Sequence, residues 1–333
     1  MTELPGLDLD RLAAYLDKGP LTGELIPGGR SNLTYLVSDG EHRWVLRRPP
    51  LGHVLATAHD MTREHRVISA LAGTAVPVPA VELLCTDTEV LGAPFYLMEE
   101  VPGAALRDRK QCDWLTPSDA AFLAHRLVDV LADLHAVDPA SVGLSDFGRP
   151  DGFLKRQVSR WGKQLDASRS RELPGIDDLH DRLADSVPES VRATIIHGDY
   201  RLDNVLVTRS PLAISAVLDW EMATLGDPLA DLGLLHVYWH GLNIENDPIT
   251  GTVPSMPGFP DAGELVARYA ERTGADVSGL GWYIAFGYFK LAVILEGIHY
   301  RYTTGKTVGA GFSQLGSFTL PLVRQGLSAI KEY

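Results

Sequence analysis

The sequence of 333 residues has little cysteine and no excess of positive charge. Both shortages limit the kinds of metal site and binding partner that we expect. Its two cysteines, Cys85 and Cys112, do not have the spacing of metal ligands, and we expect free thiols in a cytoplasmic protein. Acidic residues outnumber basic ones by 43 to 30, which gives a formal net charge of −13. This charge argues against a nucleic acid or an anionic membrane as partner.

Targeting signals and long uninterrupted apolar runs are also missing from the sequence. The N-terminus carries acidic residues early and has no basic segment followed by an apolar one, so we expect no signal peptide. The longest apolar stretch runs from Trp282 to Tyr300, but Lys290 and Glu296 interrupt it, which disfavours a membrane span. With 45% hydrophobic and 22% charged residues, the composition is that of a globular protein long enough to form two lobes.

The most informative stretch runs from Thr194 to Glu221 and reads TIIHGDYRLDNVLVTRSPLAISAVLDWE. Short β-branched runs separated by turn residues predict three strands in it, with polar residues in the loops and at the last strand end. Among these are Asp199, Asn204 and Asp219, whose carboxylate and amide oxygens suit a hard divalent cation such as Mg²⁺. Asp199 would remain available to take a proton from a hydroxyl group. This combination is typical of phosphoryl transfer.

The motif HGDYRLDN at 197–204, followed by LDWE at 218–221, resembles the aminoglycoside phosphotransferase-like branch of the kinase superfamily, which also contains choline and homoserine kinases. The resemblance implies that Asp199 is the catalytic base and that Asn204 and Asp219 bind Mg²⁺. It also implies that Arg201 contacts the γ-phosphate of ATP. A polar hairpin with capping side chains is the competing interpretation, and two motifs in order on predicted strand ends make it the weaker one.

The same resemblance assigns nucleotide-binding residues near the N-terminus. The candidates are Gly28, Gly29, Ser31 and Asn32 in a glycine turn between two strands, Arg47 and Glu64 as an ion pair, and Met98, Glu99 and Val101 against the adenine. Arg47 stands where the family has a strand lysine that contacts the α- and β-phosphates, and arginine can bind phosphate oxygens while it pairs with a carboxylate. Arg48 is expected on the opposite face of the strand, toward solvent.

The predicted architecture is α+β, a bilobal protein-kinase-like fold. Residues 1–101 are predicted to form an N-lobe with a five-stranded antiparallel sheet and one helix. Residues 102–333 are predicted to form a mostly helical C-lobe that carries the catalytic β-hairpins. Between 141 and 188, only the segment 153–165 has a convincing helical periodicity. Asp231 resembles the family aspartate that braces the catalytic loop through backbone bonds.

Together with LRRPP and LDWEMATLGDPLADLG, the catalytic motif resembles the kinase-like domains associated with acyl-CoA dehydrogenases. This resemblance implies a kinase that moves the γ-phosphoryl group of MgATP to a hydroxyl of a small metabolite, with a hydroxyacyl compound as one candidate acceptor. Three alternatives stay open. They are a regulatory nucleotide-binding pseudokinase, suggested by the missing strand lysine, an aminoglycoside O-phosphotransferase, and a metal-dependent hydrolase built on His197, Asp199, Asp219 and His236. The sequence carries no indication of the oligomeric state.

Overall fold

The chain divides into two compact units, which we call unit 1 and unit 2. The computed structural model describes residues 4–26, 32–51, 59–190, 192–242, 253–305 and 314–332. Gly28, Gly29 and Ser31, three of the predicted nucleotide-binding residues, lie outside these ranges. Unit 1 comprises Met1–Ala104, Val142–Leu144 and Asn204–Ala223, and unit 2 comprises Ala105–Ser141, Ser145–Asp203 and Thr224–Tyr333.

Nine β-strands occur among the described residues. They are β1 (Thr22–Leu25), β2 (Leu33–Ser38), β3 (Arg43–Arg48), β4 (Val81–Cys85), β5 (Phe95–Glu99), β6 (Thr194–Ile196), β7 (Val205–Arg209), β8 (Leu212–Val217) and β9 (Thr224–Gly226). The first five form one antiparallel sheet in the order β1-β2-β3-β5-β4. This confirms the five-stranded antiparallel sheet predicted for the N-terminal part. Strands β6 and β9 form one further antiparallel pair, and β7 and β8 form another.

Eleven α-helices occur in the same described ranges. They are α1 (Leu9–Leu16), α2 (Met61–Leu71), α3 (Thr88–Leu91), α4 (Arg109–Cys112), α5 (Pro117–Ala136), α6 (Phe153–Ser168), α7 (Ile176–Asp185), α8 (Leu229–His240), α9 (Ala262–Thr273), α10 (Leu280–Thr303) and α11 (Thr319–Glu332). The first three belong to unit 1 and the others to unit 2. The predicted α+β class with a mostly helical C-terminal part is therefore confirmed.

The sheet of unit 1 buries one face against α1 and α3. Trp44, Leu46 and Arg48 alternate along β3 on this face, and all three are buried. The expectation that Arg48 faces solvent is therefore wrong, because helices cover the face opposite Arg47. The guanidinium of Arg48 donates to the carbonyl oxygen of Leu91 at 2.8 Å and also to that of Gly6.

The hairpin of β7 and β8 belongs to unit 1 although it lies far along the chain. Ala104 and Val207 exchange two backbone hydrogen bonds, each 3.0 Å long, and Val217 donates its N–H to the carbonyl of Pro77 at 2.8 Å. The division predicted from the sequence, 1–101 and 102–333, places this hairpin in the second part, whereas the structure places it in unit 1. Backbone pairing over more than a hundred residues is not visible in a local pattern.

Helix α10 is the central helix of unit 2. By length and composition alone it is apolar enough to cross a membrane, but 89% of its most apolar window is buried inside the protein, as in a core helix. Helix α8 packs directly against it at Gly233. A Cβ atom on Gly233 would lie 2.7 Å from the backbone carbonyl carbon of Tyr283 on α10. Only glycine permits this close approach of the two helices.

Candidate active site

The HGD loop, His197–Asp199, follows β6 in unit 2 and is held by a buried carboxylate. Asp231, in the first turn of α8, accepts the backbone N–H of His197 at 2.6 Å and that of Gly198 at 2.8 Å. Gly198 has a φ of +83°, a left-handed conformation that favours glycine, so the chain turns sharply just before Asp199. The predicted bracing of this loop by Asp231 is confirmed.

Asp231 is itself supported by His135 at the end of α5. Nε2 of His135 lies 3.3 Å from the Asp231 carboxylate, and its Nδ1 lies 2.7 Å from the hydroxyl of Tyr269. Burial alone would raise the pKa of Asp231, but His135 and the N–H of His197 outweigh burial and lower it. Asp231 therefore stays ionised, and an ionised carboxylate is a strong acceptor for the loop N–H groups.

Lys290 on α10 holds the same loop from its carbonyl side. Its Nζ donates to the carbonyl oxygen of Gly198 at 2.7 Å and lies 5.7 Å from the ring centroid of Trp161. Lys290 is 7% exposed, and burial lowers its pKa, while the charges of Asp199 and Asp231 oppose that shift. The loop is thus fixed at two N–H groups and at one carbonyl.

Asp199, the predicted base, is partly buried and is bonded to Tyr238 on α8. The Tyr238 hydroxyl donates to Oδ1 of Asp199 across 2.6 Å. Arg201 lies over the ring of Tyr238, with its Cζ 4.6 Å from the ring centroid, and it also pairs with Asp203. Burial disfavours the charge of Arg201, but Tyr238, Asp203 and Asp199 together raise its pKa. Sequence reasoning missed Tyr238, which carries no motif.

In unit 1, Arg47 is the centre of a polar network that contains its predicted partner. Nε of Arg47 lies 2.8 Å from Glu64, and its Nη2 pairs with Asp219. Glu64 is only 1% exposed, and the Tyr96 hydroxyl donates to it at 3.1 Å. The predicted Arg47–Glu64 pair is confirmed as a contact. The binding of nucleotide phosphates by Arg47 stays a prediction.

Asn32 and Glu221 complete this network. The side-chain amide of Asn32 donates to Glu64 at 3.0 Å and to Glu221 at 3.1 Å, while its Oδ1 is buried without a hydrogen-bond partner. Glu221 also lies 4.0 Å from Arg47. Three carboxylates therefore surround one guanidinium, and the negative excess favours a bound cation. Glu221 follows Asp219 by two residues in the LDWE motif, which was the available signal for it.

Asn204 and Asp219, the predicted Mg²⁺ ligands, flank the β7–β8 hairpin at the same end. The N–H of Leu218 donates to the backbone carbonyl of Asn204 at 2.8 Å, and Asp219 has a φ of +68°, which is uncommon outside glycine. In the described part of the chain, no group of three or more His, Cys, Asp or Glu side chains forms a metal cluster. One amide and one carboxylate nevertheless fit Mg²⁺, which takes its other ligands from water and phosphate.

The three predicted adenine-binding residues lie at the end of β5 and just beyond it. Met98 is buried, Glu99 is exposed and Val101 is half-buried. The backbone N–H of Glu99 donates to the carbonyl of Ala80, and its side chain accepts the N–H of Ala80, both at 2.9 Å. These bonds fix the strand end, and contact with adenine stays a prediction for all three residues.

The fold and these two groups of residues agree with a family of phosphate-transferring enzymes. A sequence model of the APH family, described as the phosphotransferase enzyme family, matches residues 22–249 of the chain. The protein therefore belongs to this family of kinase-type enzymes.

Three relatives illustrate the similarity. Acyl-CoA dehydrogenase family member 11 of Gallus gallus is 33% identical over 319 residues, which are 94% of this chain and 41% of the relative. The chain thus spans about two fifths of that relative's length. A crystal structure from Ralstonia eutropha, provisionally assigned as an aminoglycoside phosphotransferase, is 34% identical with a TM-score of 0.85 over 98% of both chains. A mutant of aminoglycoside phosphotransferase APH(4)-Ia, bound to AMP-PNP and hygromycin B, is 14% identical with a TM-score of 0.65 over 97% of both, a likeness of fold. The resemblance inferred from the motifs is confirmed.

Proposed function

We propose that the protein transfers the γ-phosphoryl group of MgATP to a hydroxyl group of a small metabolite. The observation that carries this proposal is the carboxylate of Asp199 at the end of a loop held by Asp231 and Lys290. Because the loop is fixed on both sides, Asp199 is oriented before the substrate binds, as a general base requires. ATP as the donor agrees with the AMP-PNP complex of the structurally similar APH(4)-Ia.

In the proposed reaction, the acceptor oxygen forms a bond to the γ-phosphorus while the bond from that phosphorus to ADP breaks. Asp199 takes the proton of the acceptor hydroxyl, and ADP leaves with the electron pair of the broken bond. Arg201 binds an oxygen of the transferred group, and Arg47 binds the α- and β-phosphates. Mg²⁺, when held by Asn204 and Asp219, neutralises phosphate charge.

A hydroxyacyl compound is the first candidate acceptor and an aminoglycoside the second. This order follows the resemblance to the kinase-like domains associated with acyl-CoA dehydrogenases. Acyl-CoA dehydrogenase family member 11 of Gallus gallus is 33% identical to this chain, whereas APH(4)-Ia, bound to hygromycin B, is 14% identical. The charges around Asp199 are mixed, because Asp203 pairs with Arg201 and Asp231 interacts with Lys290, so they favour neither acceptor.

The other two alternatives are weakened by particular contacts. Arg47 makes the pair with Glu64 that the family lysine would make, so the missing lysine is poor support for a pseudokinase. In the hydrolase alternative His197 would bind a metal, but its Nδ1 accepts the N–H of Asp199 at 3.2 Å.

Two proposals concern the surroundings of the enzyme. Both cysteines, Cys85 and Cys112, are buried and free, and we propose a cytoplasmic location on the strength of these thiols. The partner that we propose is a small hydroxylated molecule, since the net charge of −13 gives no attraction to nucleic acid or anionic membranes.

A mass-spectrometric screen tests the proposed function. The purified protein is incubated with MgATP and separate pools of hydroxylated metabolites, hydroxyacyl-CoA thioesters and aminoglycosides, and each pool is searched for a gain of one phosphate. We expect a hydroxyacyl compound to gain phosphate with the wild type and not with Asp199→Asn. Phosphorylation of aminoglycosides alone would support an aminoglycoside O-phosphotransferase, and stabilisation by MgATP without transfer would support a pseudokinase. Hydrolysis that depends on a retained transition metal and not on nucleotide would support the hydrolase.

A further inference from the structure

Tyr238 touches the predicted base directly, although it lies outside the HGD and LDWE motifs. Its hydroxyl donates to Oδ1 of Asp199 across 2.6 Å, and the residue is 7% exposed. A hydrogen bond to a carboxylate is stronger than one between neutral groups, and low exposure strengthens it further. We propose that Tyr238 is a positioning residue for phosphoryl transfer, which holds one oxygen of Asp199 so that the carboxylate keeps the orientation needed to take the acceptor's proton.

The phenol ring of Tyr238 also contacts a charged side chain. The guanidinium of Arg201 lies over the ring at 4.6 Å, within the range of a cation–π contact, and Arg201 also pairs with Asp203. Burial, together with the charge of Asp199, keeps the pKa of Tyr238 well above its ordinary value. The hydroxyl therefore stays protonated at neutral pH and can only act as a donor toward Asp199.

A general role in packing is the competing explanation, and other buried tyrosines provide the comparison. The Tyr200 hydroxyl donates to the backbone carbonyl of Leu127 at 2.8 Å, and the Tyr283 hydroxyl donates to the carboxylate of Asp227 at 2.9 Å. Tyr283 is the matched control, because it makes the same type of bond in the same unit but to a carboxylate outside the HGD loop.

The inference rests on the proposed function, so the test must separate the two. Wild type, Tyr238→Phe and Tyr283→Phe are compared in MgATP hydrolysis, with water as acceptor and released phosphate as readout, and in transfer to a hydroxyacyl-CoA. Tyr238→Phe keeps the ring over Arg201 and removes the O–H, together with its hydrogen bonds to Asp199 and Arg201. We expect kcat to fall about 10- to 100-fold, as for one hydrogen bond to a charged group, with KM for ATP and acceptor unchanged. Tyr283→Phe should leave kcat within about twofold of wild type.

A conservative variant supplies a readout that a packing role would not change. Fluorotyrosine at position 238 keeps both the ring and the O–H donor, so it should keep kcat close to that of wild type, whereas Tyr238→Phe should not. If Tyr238→Phe does not fold, a series of fluorotyrosines with graded donor strength replaces it. In that series kcat should change with donor strength, and KM for the acceptor should stay constant.

Each outcome of the comparison decides one question. Equal kcat in Tyr238→Phe and wild type would overturn the positioning role and leave the proposed function intact. A rise in kcat, or a lower KM for the acceptor, would overturn it as well, because the hydroxyl would then compete with the acceptor for Asp199. An equal loss in Tyr283→Phe would point to packing alone. A wild type that transfers phosphate to neither water nor any acceptor would overturn the proposed function itself.

Discussion

Replacing Arg47 with alanine should destabilise the protein, because it leaves a buried carboxylate without its cation. The side chains of Arg47 and Glu64 are 12% and 1% exposed, so solvent screens their 2.8 Å pair only weakly. Removing one partner of a buried pair costs roughly 3–5 kcal/mol. Asn32 and Tyr96 still donate to Glu64 in the variant, so we expect the lower end, a loss of about 3 kcal/mol in the free energy of unfolding at pH 7.

The free energy of unfolding that Arg47→Ala loses should depend on pH, and the pKa of Glu64 sets the direction. Burial raises the pKa of Glu64, and Arg47 opposes that shift. Without Arg47, the folded-state pKa moves further above the value in the unfolded chain, about 4.3. A carboxyl group with a raised folded pKa contributes stability that is fully present below the unfolded pKa and is lost as the pH rises through the folded pKa. The unfolded-state pKa is the same in both proteins, so the difference between wild type and Arg47→Ala should grow as the pH rises from the raised folded pKa of Glu64 in the wild type toward the still higher one in the variant.

Urea unfolding of four proteins at several pH values measures this effect. The set is wild type, Arg47→Ala, Arg47→Lys, and Arg47→Ala combined with Glu64→Gln. The neutral amide removes the buried charge, so the double variant should recover most of the loss at pH 7. Arg47→Lys should lose less stability than Arg47→Ala, because lysine restores the positive charge but not the bidentate geometry of the guanidinium. A loss that does not vary with pH, or a double variant no more stable than Arg47→Ala, would refute the reasoning.

Three further predictions concern single residues. Asp199→Asn should lower the rate of phosphoryl transfer by about 10²–10⁴-fold, because it removes the proton acceptor, and it should keep the thermal shift caused by MgATP. Turnover close to that of wild type would contradict the assignment of Asp199 as the base. Asp219→Ala should abolish that thermal shift, and an unchanged shift would contradict its metal role. It should also lower the melting temperature without nucleotide, because Asp219 pairs with Arg47 and has a φ of +68°, which alanine adopts less readily than aspartate. Arg48→Ala should destabilise the protein by about 1–3 kcal/mol in urea unfolding, because two carbonyl groups lose their hydrogen-bond donor. It should leave the affinity for MgATP unchanged, and weaker MgATP binding would instead place Arg48 at the nucleotide.

The candidate base and the candidate metal ligands could be picked out from the sequence because they lie in one stretch of chain at the ends of short strands. Asp199, Asn204 and Asp219 carry the family motif and need no knowledge of distant contacts. Tyr238 and Lys290 contact the HGD loop from 39 and 92 residues away. A single tyrosine or lysine on an apolar helix carries no local pattern that separates a site residue from a core residue. Long-range packing decides their role.

The sheet was predictable from strand alternation, but the covering of its faces was not. Alternation correctly separates Arg47 from Arg48, yet only the packing of α1 and α3 shows that the face of Arg48 is buried. Helix α7 was not predicted, although Ile176, Leu179 and Leu183 have helical spacing and are buried. The many charged residues between them hid that spacing.

Helix α8 fixes the spacing between the two side chains that it bonds to the HGD loop. Asp231 accepts two loop N–H groups and Tyr238 donates to Asp199, and Tyr238 lies seven positions after Asp231. Seven residues make nearly two helical turns, about 10 Å along the axis, so both side chains project on the same side. An insertion or deletion of one residue between them would rotate one by about 100° relative to the other, and one of the two attachments would be lost. This segment should therefore keep its length, and alignments of related enzymes should place their gaps outside it.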